Sequence, residues 1–333
     1  MQADPIRAPA RAQDLILRHR VADYRAGDLE REYPRLDIHE DSFINYGFVT
    51  DRVSRLMHPR RGHAPWSVTS RRQVKRLLEF VRSRGAVHPR QVDEQFSLGS
   101  VTNYWGGSSS TTTHLLDAMH YRGLLRVARR ESGIRTYELH EHDPGRLAVR
   151  ERRRRLDALV DVVVNLYAPL PAASLSYAVR RLRYAAPQWS GELAGALQRA
   201  RSRLAHVRLG TVDWYWPCDE QLDPTGPGDS VRLLAPFDPV VWDRRRFELL
   251  WGWPYRFEAY TPVAKRRWGY YALPLLWREQ VIGWTNVSVS GQQLTVDTGY
   301  VAGRAPRDRG FRQALADEHA RMSAFLGLTD ARG

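Results

Sequence analysis

SRRQVKRLLEFVRSRG (residues 70–85), HPRQVDEQF (88–96) and STTTHLLDAMHYRG (110–123), followed by LLRVARR (124–130) and IRTYELH (134–140), decide the fold. In the first segment Val74, Leu77, Leu78 and Val81 recur at helical spacing, and Gly85 supplies a stop. The second segment offers one or two helical turns. The third starts with Ser/Thr and ends at Gly123, residue types that cap helices at those ends. The last two alternate apolar and polar residues around Glu131-Ser132-Gly133, which predicts a hairpin. Three helices followed by a hairpin is the order of a winged helix, whose third helix commonly enters a DNA groove. The same order also serves for packing against other proteins.

Downstream, residues 150–217 repeat this rhythm without repeating the residues. RERRRRLDALVDVVVNLYAPL (150–170), AASLSYAVRRLRYAA (172–186) and SGELAGALQRARSRLA (190–205) read as helices, and HVRLG (206–210) with VDWYW (212–216) as a hairpin. The charged run 151–155 reads first as a solvated helix face. A Pro/Gly/Asp-rich linker, CDEQLDPTGPGDS (218–230), follows. The character then changes to aromatic and β-branched runs: VRLLAPFDPVV (231–241), YRFEAYTP (255–262), GYYALPLLW (269–277), QVIGWTNVSVS (280–290) and QLTVDTGYV (293–301). Their spacing predicts a small barrel-like domain over 229–328, closed by the amphipathic helix RGFRQALADEHARMSAFLGL (309–328). Upstream, PIRAPARAQD (5–14) is turn-rich, residues 14–33 read as helical, and 39–57 alternates before turning helical. The fold class expected is α+β, with tandem winged-helix modules at 63–145 and 150–217 and the β-barrel-like domain at the end.

Composition narrows the function. With 43% hydrophobic and 26% charged residues the 333-residue chain can build packed cores, and no apolar run approaches a membrane-spanning length. One cysteine, Cys218, excludes an internal disulfide framework and a multi-cysteine zinc site, and a reducing cytoplasmic setting fits. Lys+Arg is 51 against 37 Asp+Glu, a net charge of +14, and only Lys75 and Lys265 are lysines. That surplus suits a polyanion, and arginine's planar fork suits phosphates and base edges. A GC-rich genome would enrich arginine equally well.

Residues 234–283 strongly resemble the matching segment of the YcaQ/AlkZ family of winged-helix DNA glycosylases. The features that carry it are Phe237-Asp238-Pro239, Trp242-Asp243-Arg244, Tyr260-Thr261-Pro262 with Lys265-Arg266, Gly269-Tyr270, and Leu273-Pro274-Leu275. At lower identity it extends upstream through the Trp-rich loop Tyr104-Trp105-Gly106-Gly107 and through His39-Glu40 with Phe43, and so covers essentially the whole chain. The resemblance implies tandem winged helices ending in a β-barrel, and enzymes that excise N7-alkylated purines and unhook interstrand crosslinks.

It also implies the site. The family's Gln-x-Asp pair is matched by Gln2-Ala3-Asp4, in register through Arg20 and Tyr24. Residues 1–62 would then be the remnant of a first winged helix carrying the catalytic motif. Members of the family have further residues before that motif, so the resemblance implies an N-terminally shortened chain or a degenerate first module, with less packing around Asp4. Chemically, an N7-alkylated base is already a good leaving group; Asp4 would stabilise the cationic sugar and serve as base, and Gln2 would hold the water. Without the resemblance, Asp4 reads as a turn cap before Pro5. His39 and Glu40 are possible assisting residues. Lys265, Arg266 and Arg267, then Arg244 and Arg245, are the candidate phosphate contacts, and the tryptophans of the C-terminal domain read mostly as core. After Gly283 the family pattern Arg-x-Asp-x-Lys is replaced by Trp284-Thr285-Asn286-Val287-Ser288. No cofactor or metal is expected. The expected partner is double-stranded DNA with alkylated or crosslinked purines, bound by a cytoplasmic, nucleoid-associated bacterial monomer without membrane contact. The alternative is a non-catalytic winged-helix DNA-binding or regulatory protein.

Overall fold

The computed structural model describes residues 1–62, 65–102, 108–140, 147–221, 226 and 228–328, with 100–102 and 108–109 as backbone alone. The Trp-rich loop Tyr104–Gly107 lies outside the described residues. The chain is α+β, and it divides into two compact units. A central unit comprises Glu30–Val163 and Ser176–Arg203; a terminal unit comprises Met1–Leu29, Val164–Leu175 and Leu204–Gly333. The stretch 150–217 therefore contributes to both.

In the central unit the opening segments form helices Val68–Arg84, Pro89–Phe96 and Thr111–Tyr121, then the antiparallel strands Leu125–Glu131 and Ile134–Leu139. Ser67 caps the first helix by accepting from Ser70 N–H at 3.0 Å, and Gly85 ends it at φ +77°. Val74, Leu77 and Val81 turn inward against Val92, Leu116, Met119, Leu125 and Val127. The hairpin turns on Ser132 (φ +51°) and Gly133 (φ +84°), the two positive φ values that match strand twist in a two-residue loop. Gly123 leaves the third helix at φ +78°, and a Cβ there would sit 2.3 Å from His58 Nδ1, so no other residue fits. Ahead of these elements, strands Ile38–Ser42 and Tyr46–Thr50 pair and feed helix Asp51–Met57, capped by Thr50.

In the terminal unit, strands Val231–Leu233, Leu273–Trp277, Gln280–Ser290 and Gln293–Tyr300 form a four-stranded antiparallel sheet in sequence order. The expected barrel is not closed: this sheet is an open meander. The runs counted as extra strands do other work. The end of the first run, at 239–242, is a short helix that leads into a second at 244–251, and the run at 255–262 falls in the irregular stretch 252–262. Pro254 and Pro262 lack the N–H that a ladder requires. Their aromatic neighbours pack as a cluster, with Trp253 stacked on Trp284 at 5.9 Å and Trp268 edge-on to Trp284 at 4.5 Å. Helix Arg309–Leu326 buries Phe311, Met322 and Phe325 against Leu233, Leu273 and Leu275, together with Leu15 and Ile16 of helix Ala12–Leu17. The replaced positions after Gly283 are used internally: Thr285 Oγ1 meets Thr298 Oγ1 at 3.1 Å, and Asn286 Nδ2 donates to Trp268 O at 2.7 Å. No helix among the described residues is long and apolar enough to cross a membrane.

Candidate active site

Gln2 and Asp4 lie in the terminal unit, both only partly exposed. Asp4 Oδ1 accepts the Ile6 N–H at 2.9 Å, the turn an Asp before a Pro favours. Burial pushes the Asp4 carboxyl above its ordinary range, and the Ile6 N–H pulls back in part. Beyond Asp4 the segment is anchored. Ile6 and Ala8 pack on the apolar cluster around Tyr271 and Phe311. Downstream, buried Arg18 pairs with Glu318 at 2.5 Å, and Arg20 makes a two-pronged pair with Asp238 at 2.8 and 2.9 Å. His19 Nε2 lies 2.9 Å from Leu233 O, and Tyr24 donates to Asp14 at 2.6 Å. Three consecutive residues, Arg18 to Arg20, thus tie the segment that carries Asp4 to the C-terminal helix, the sheet and the cap of the short helix 239–242. Fixed carboxylates are what positional catalysis requires.

The candidate phosphate contacts divide. Buried Glu258 accepts the N–H groups of Arg267 and Trp268 at 2.8 Å each, and so pins the loop 259–270 at its base. Arg266 Nε donates to Thr261 O at 2.8 Å and its guanidinium lies over the Tyr270 ring. At the tip Lys265 and Arg267 are exposed, as are Tyr260 (77%) and Val263 (76%), a basic and aromatic surface that core packing does not explain. Arg244 turns inward instead: it donates to Val241 O and Pro236 O and covers the Tyr255 ring, and burial lowers its pKa. Arg246 likewise spends its donors on Tyr167, Pro239 and Val240 carbonyls, while Arg245 stays exposed.

His39 and Glu40 belong to the central unit, where the motif residues do not. Glu40 takes both Arg130 nitrogens at 2.7 and 2.6 Å and the Tyr46 hydroxyl at 2.8 Å. His39 Nε2 faces Asp51 Oδ1 at 3.0 Å. Asp37, His39 and Asp51 place one ligand atom each within 4.8 Å of one another and are the one such group among the described residues; Arg55 already holds Asp51. Sequence patterns gave no sign of Asp41, which bonds His58 Nε2 at 2.7 Å and Arg60 Nη1 at 2.6 Å. Burial alone would raise the Asp41 pKa, but Arg60 and His58 outweigh it and hold the carboxyl well below the usual range. A cleft of about 790 Å³ opens beside this network, lined by Asp41, Tyr46, Asp117, His120, Arg130 and Arg135 among others. Its main charges are spent on each other: Arg135 pairs with Asp117 at 2.9 Å, and Arg130 with Glu40.

A profile of the family described as DNA glycosylase AlkZ-like matches residues 1–325, a span that includes Gln2, Asp4 and the 258–270 loop. The chain belongs to the AlkZ-like DNA glycosylase family. No solved structure matches it. Membership makes DNA the polyanion that the +14 charge suits, and base excision, a hydrolysis in DNA repair, the activity of the family. Asp4 is half-desolvated, held by a backbone N–H, and without a cationic side-chain partner among the described residues.

Proposed function

We propose that this protein is a monofunctional winged-helix glycosylase that hydrolyses the N-glycosidic bond of N7-alkylguanine, including guanine held in an interstrand crosslink. The carrying observation is the Asp4 carboxylate, part-buried and anchored in the Gln2-Ala3-Asp4 motif inside the family match. Asp4 stabilises the oxocarbenium-like sugar and takes a proton from water. The water oxygen bonds C1′, the C1′–N9 bond breaks, and its electron pair neutralises the cationic purine. An abasic site and a neutral alkylpurine result, and Asp4 returns its proton to solvent. Gln2 orients the water through its amide. The helices and hairpin of 68–139 serve as the winged helix and the tip of 258–270 as a phosphate contact.

A crosslinked base cannot swing freely out of the duplex, so an exposed site suits unhooking better than an enclosed pocket. Incubating the protein with a duplex carrying an N7-guanine crosslink tests this directly. Separated strands with an alkali-labile abasic site support the reading; a persistent crosslink beside efficient release of monoadducts removes the unhooking part of it.

Lys265→Ala with Arg266→Ala lowers the slope of log affinity against log salt by about one unit for each phosphate no longer neutralised. Fluorescence anisotropy across a salt series measures it. An unchanged slope takes this loop off the DNA.

A further inference from the structure

Tyr271 precedes strand Leu273–Trp277 with its side chain buried, 3% exposed, and its hydroxyl makes no hydrogen bond among the described residues. Neighbouring Tyr255 shows the ordinary arrangement, donating to Ala272 O at 2.7 Å. A buried hydroxyl without a partner is costly and uncommon, so it asks for a state in which a partner arrives. The Phe257 ring meets Tyr271 edge-on at 5.3 Å and 90°, which fixes the phenol plane. Asp4 and Arg244 are near enough to act on the phenol electrostatically, and the Tyr255 and Tyr260 phenols lie near it as well. Burial first, then the Asp4 charge, keep it protonated far above neutral pH, so it is a standing donor. Asp4 is the complement, a partly desolvated carboxylate bonded by one backbone N–H and by no side chain among the described residues. Ile6, whose N–H holds Asp4, packs into the same apolar cluster as Tyr271.

We propose that Tyr271 is a positioning residue for Asp4: when DNA closes over the site, its hydroxyl donates to the second carboxylate oxygen and fixes the ionised rotamer. This rests on the assignment of Asp4 made above. A donor to the carboxylate favours its charged form, so removing it raises the Asp4 pKa. Activity that needs ionised Asp4 is lost as pH falls through that pKa. Tyr271→Phe therefore moves the acid limb of single-turnover base release to higher pH by about one unit, roughly tenfold in rate on the limb, with convergence toward wild type at alkaline pH.

Tyr255→Phe, which also loses a buried hydrogen bond, leaves the limb where it is. Should Tyr271→Phe fail to fold, 3-fluorotyrosine at 271 keeps the shape and strengthens the donor, and the limb moves to lower pH. A limb unmoved by either change at Tyr271, or a loss equal at every pH, overturns the proposal. Asp4→Asn is assayed alongside. If that variant still releases base, the Asp4 assignment itself fails; if it is silent while Tyr271→Phe keeps the wild-type limb, only the role of Tyr271 fails.

Discussion

Asp4→Asn lowers the single-turnover rate of base release from N7-alkylated duplex by about 10²–10⁴-fold, the range for loss of a positioned general base. The substitution keeps the side-chain size, and the amide oxygen can still accept the Ile6 N–H, so the turn that holds residue 4 persists. What disappears is the charge facing the developing sugar cation and the basicity that takes the proton from water. Duplex affinity stays close to wild type, because the proposed phosphate contacts lie on the 258–270 loop. In the unaltered enzyme the acid limb lies above the ordinary carboxylate range, since burial raises the Asp4 pKa. Denaturing-gel assays after alkali cleavage of abasic sites give the rates. A rate within about threefold of wild type would remove Asp4 from the chemistry, being under 1 kcal/mol.

The second large effect is on stability. Asp41→Ala leaves the Arg60 guanidinium and the His58 ring buried without their carboxylate, and costs about 3–5 kcal/mol, the scale for breaking a buried ion pair from one side. Arg60 also donates to Ser42 O and Ala185 O, so it cannot swing out to water without breaking those bonds. The pH dependence follows. The folded-state pKa of Asp41 is depressed below its unfolded value, so its contribution is present in full above about pH 4 and is lost as pH falls toward the folded pKa. Urea unfolding followed by circular dichroism, at pH 7 and in steps below pH 4, measures both. A loss below about 1 kcal/mol at pH 7 would show that the network is not needed for stability.

Local signals were legible and distant ones were not. The helix Val68–Arg84 could be read because Val74, Leu77, Leu78 and Val81 recur at helical spacing before the stop at Gly85. The hairpin could be read because Ser132-Gly133 suits a two-residue turn. The open sheet was misread as a barrel because aromatic runs such as Tyr255–Pro262 share strand composition, while Pro254, Pro262 and buried Glu258 make that stretch an anchored loop. Among the arginines, composition alone cannot separate Arg244 from Arg245: one turns to carbonyls and the other to solvent, according to its place on a short helix. The Asp41 network escaped because its members are brought together by the fold, Arg60 reaching the carbonyl of Ala185. His39, Glu40 and Asp41 are all buried in one strand, where alternation would have left a face exposed. Gln2-Ala3-Asp4 carried no signal of its own beyond its register with the rest of the chain.

The decisive assay for the glycosylase reading is release of free base from a duplex containing a single N7-methylguanine, followed under single-turnover conditions with the unaltered protein. Free 7-methylguanine and an alkali-labile abasic site are expected in equal amounts, with no release from unmodified guanine. Salt-sensitive binding of that duplex with the methylated base still attached at the end of the reaction would contradict it, and would leave a protein that holds DNA without cutting the bond.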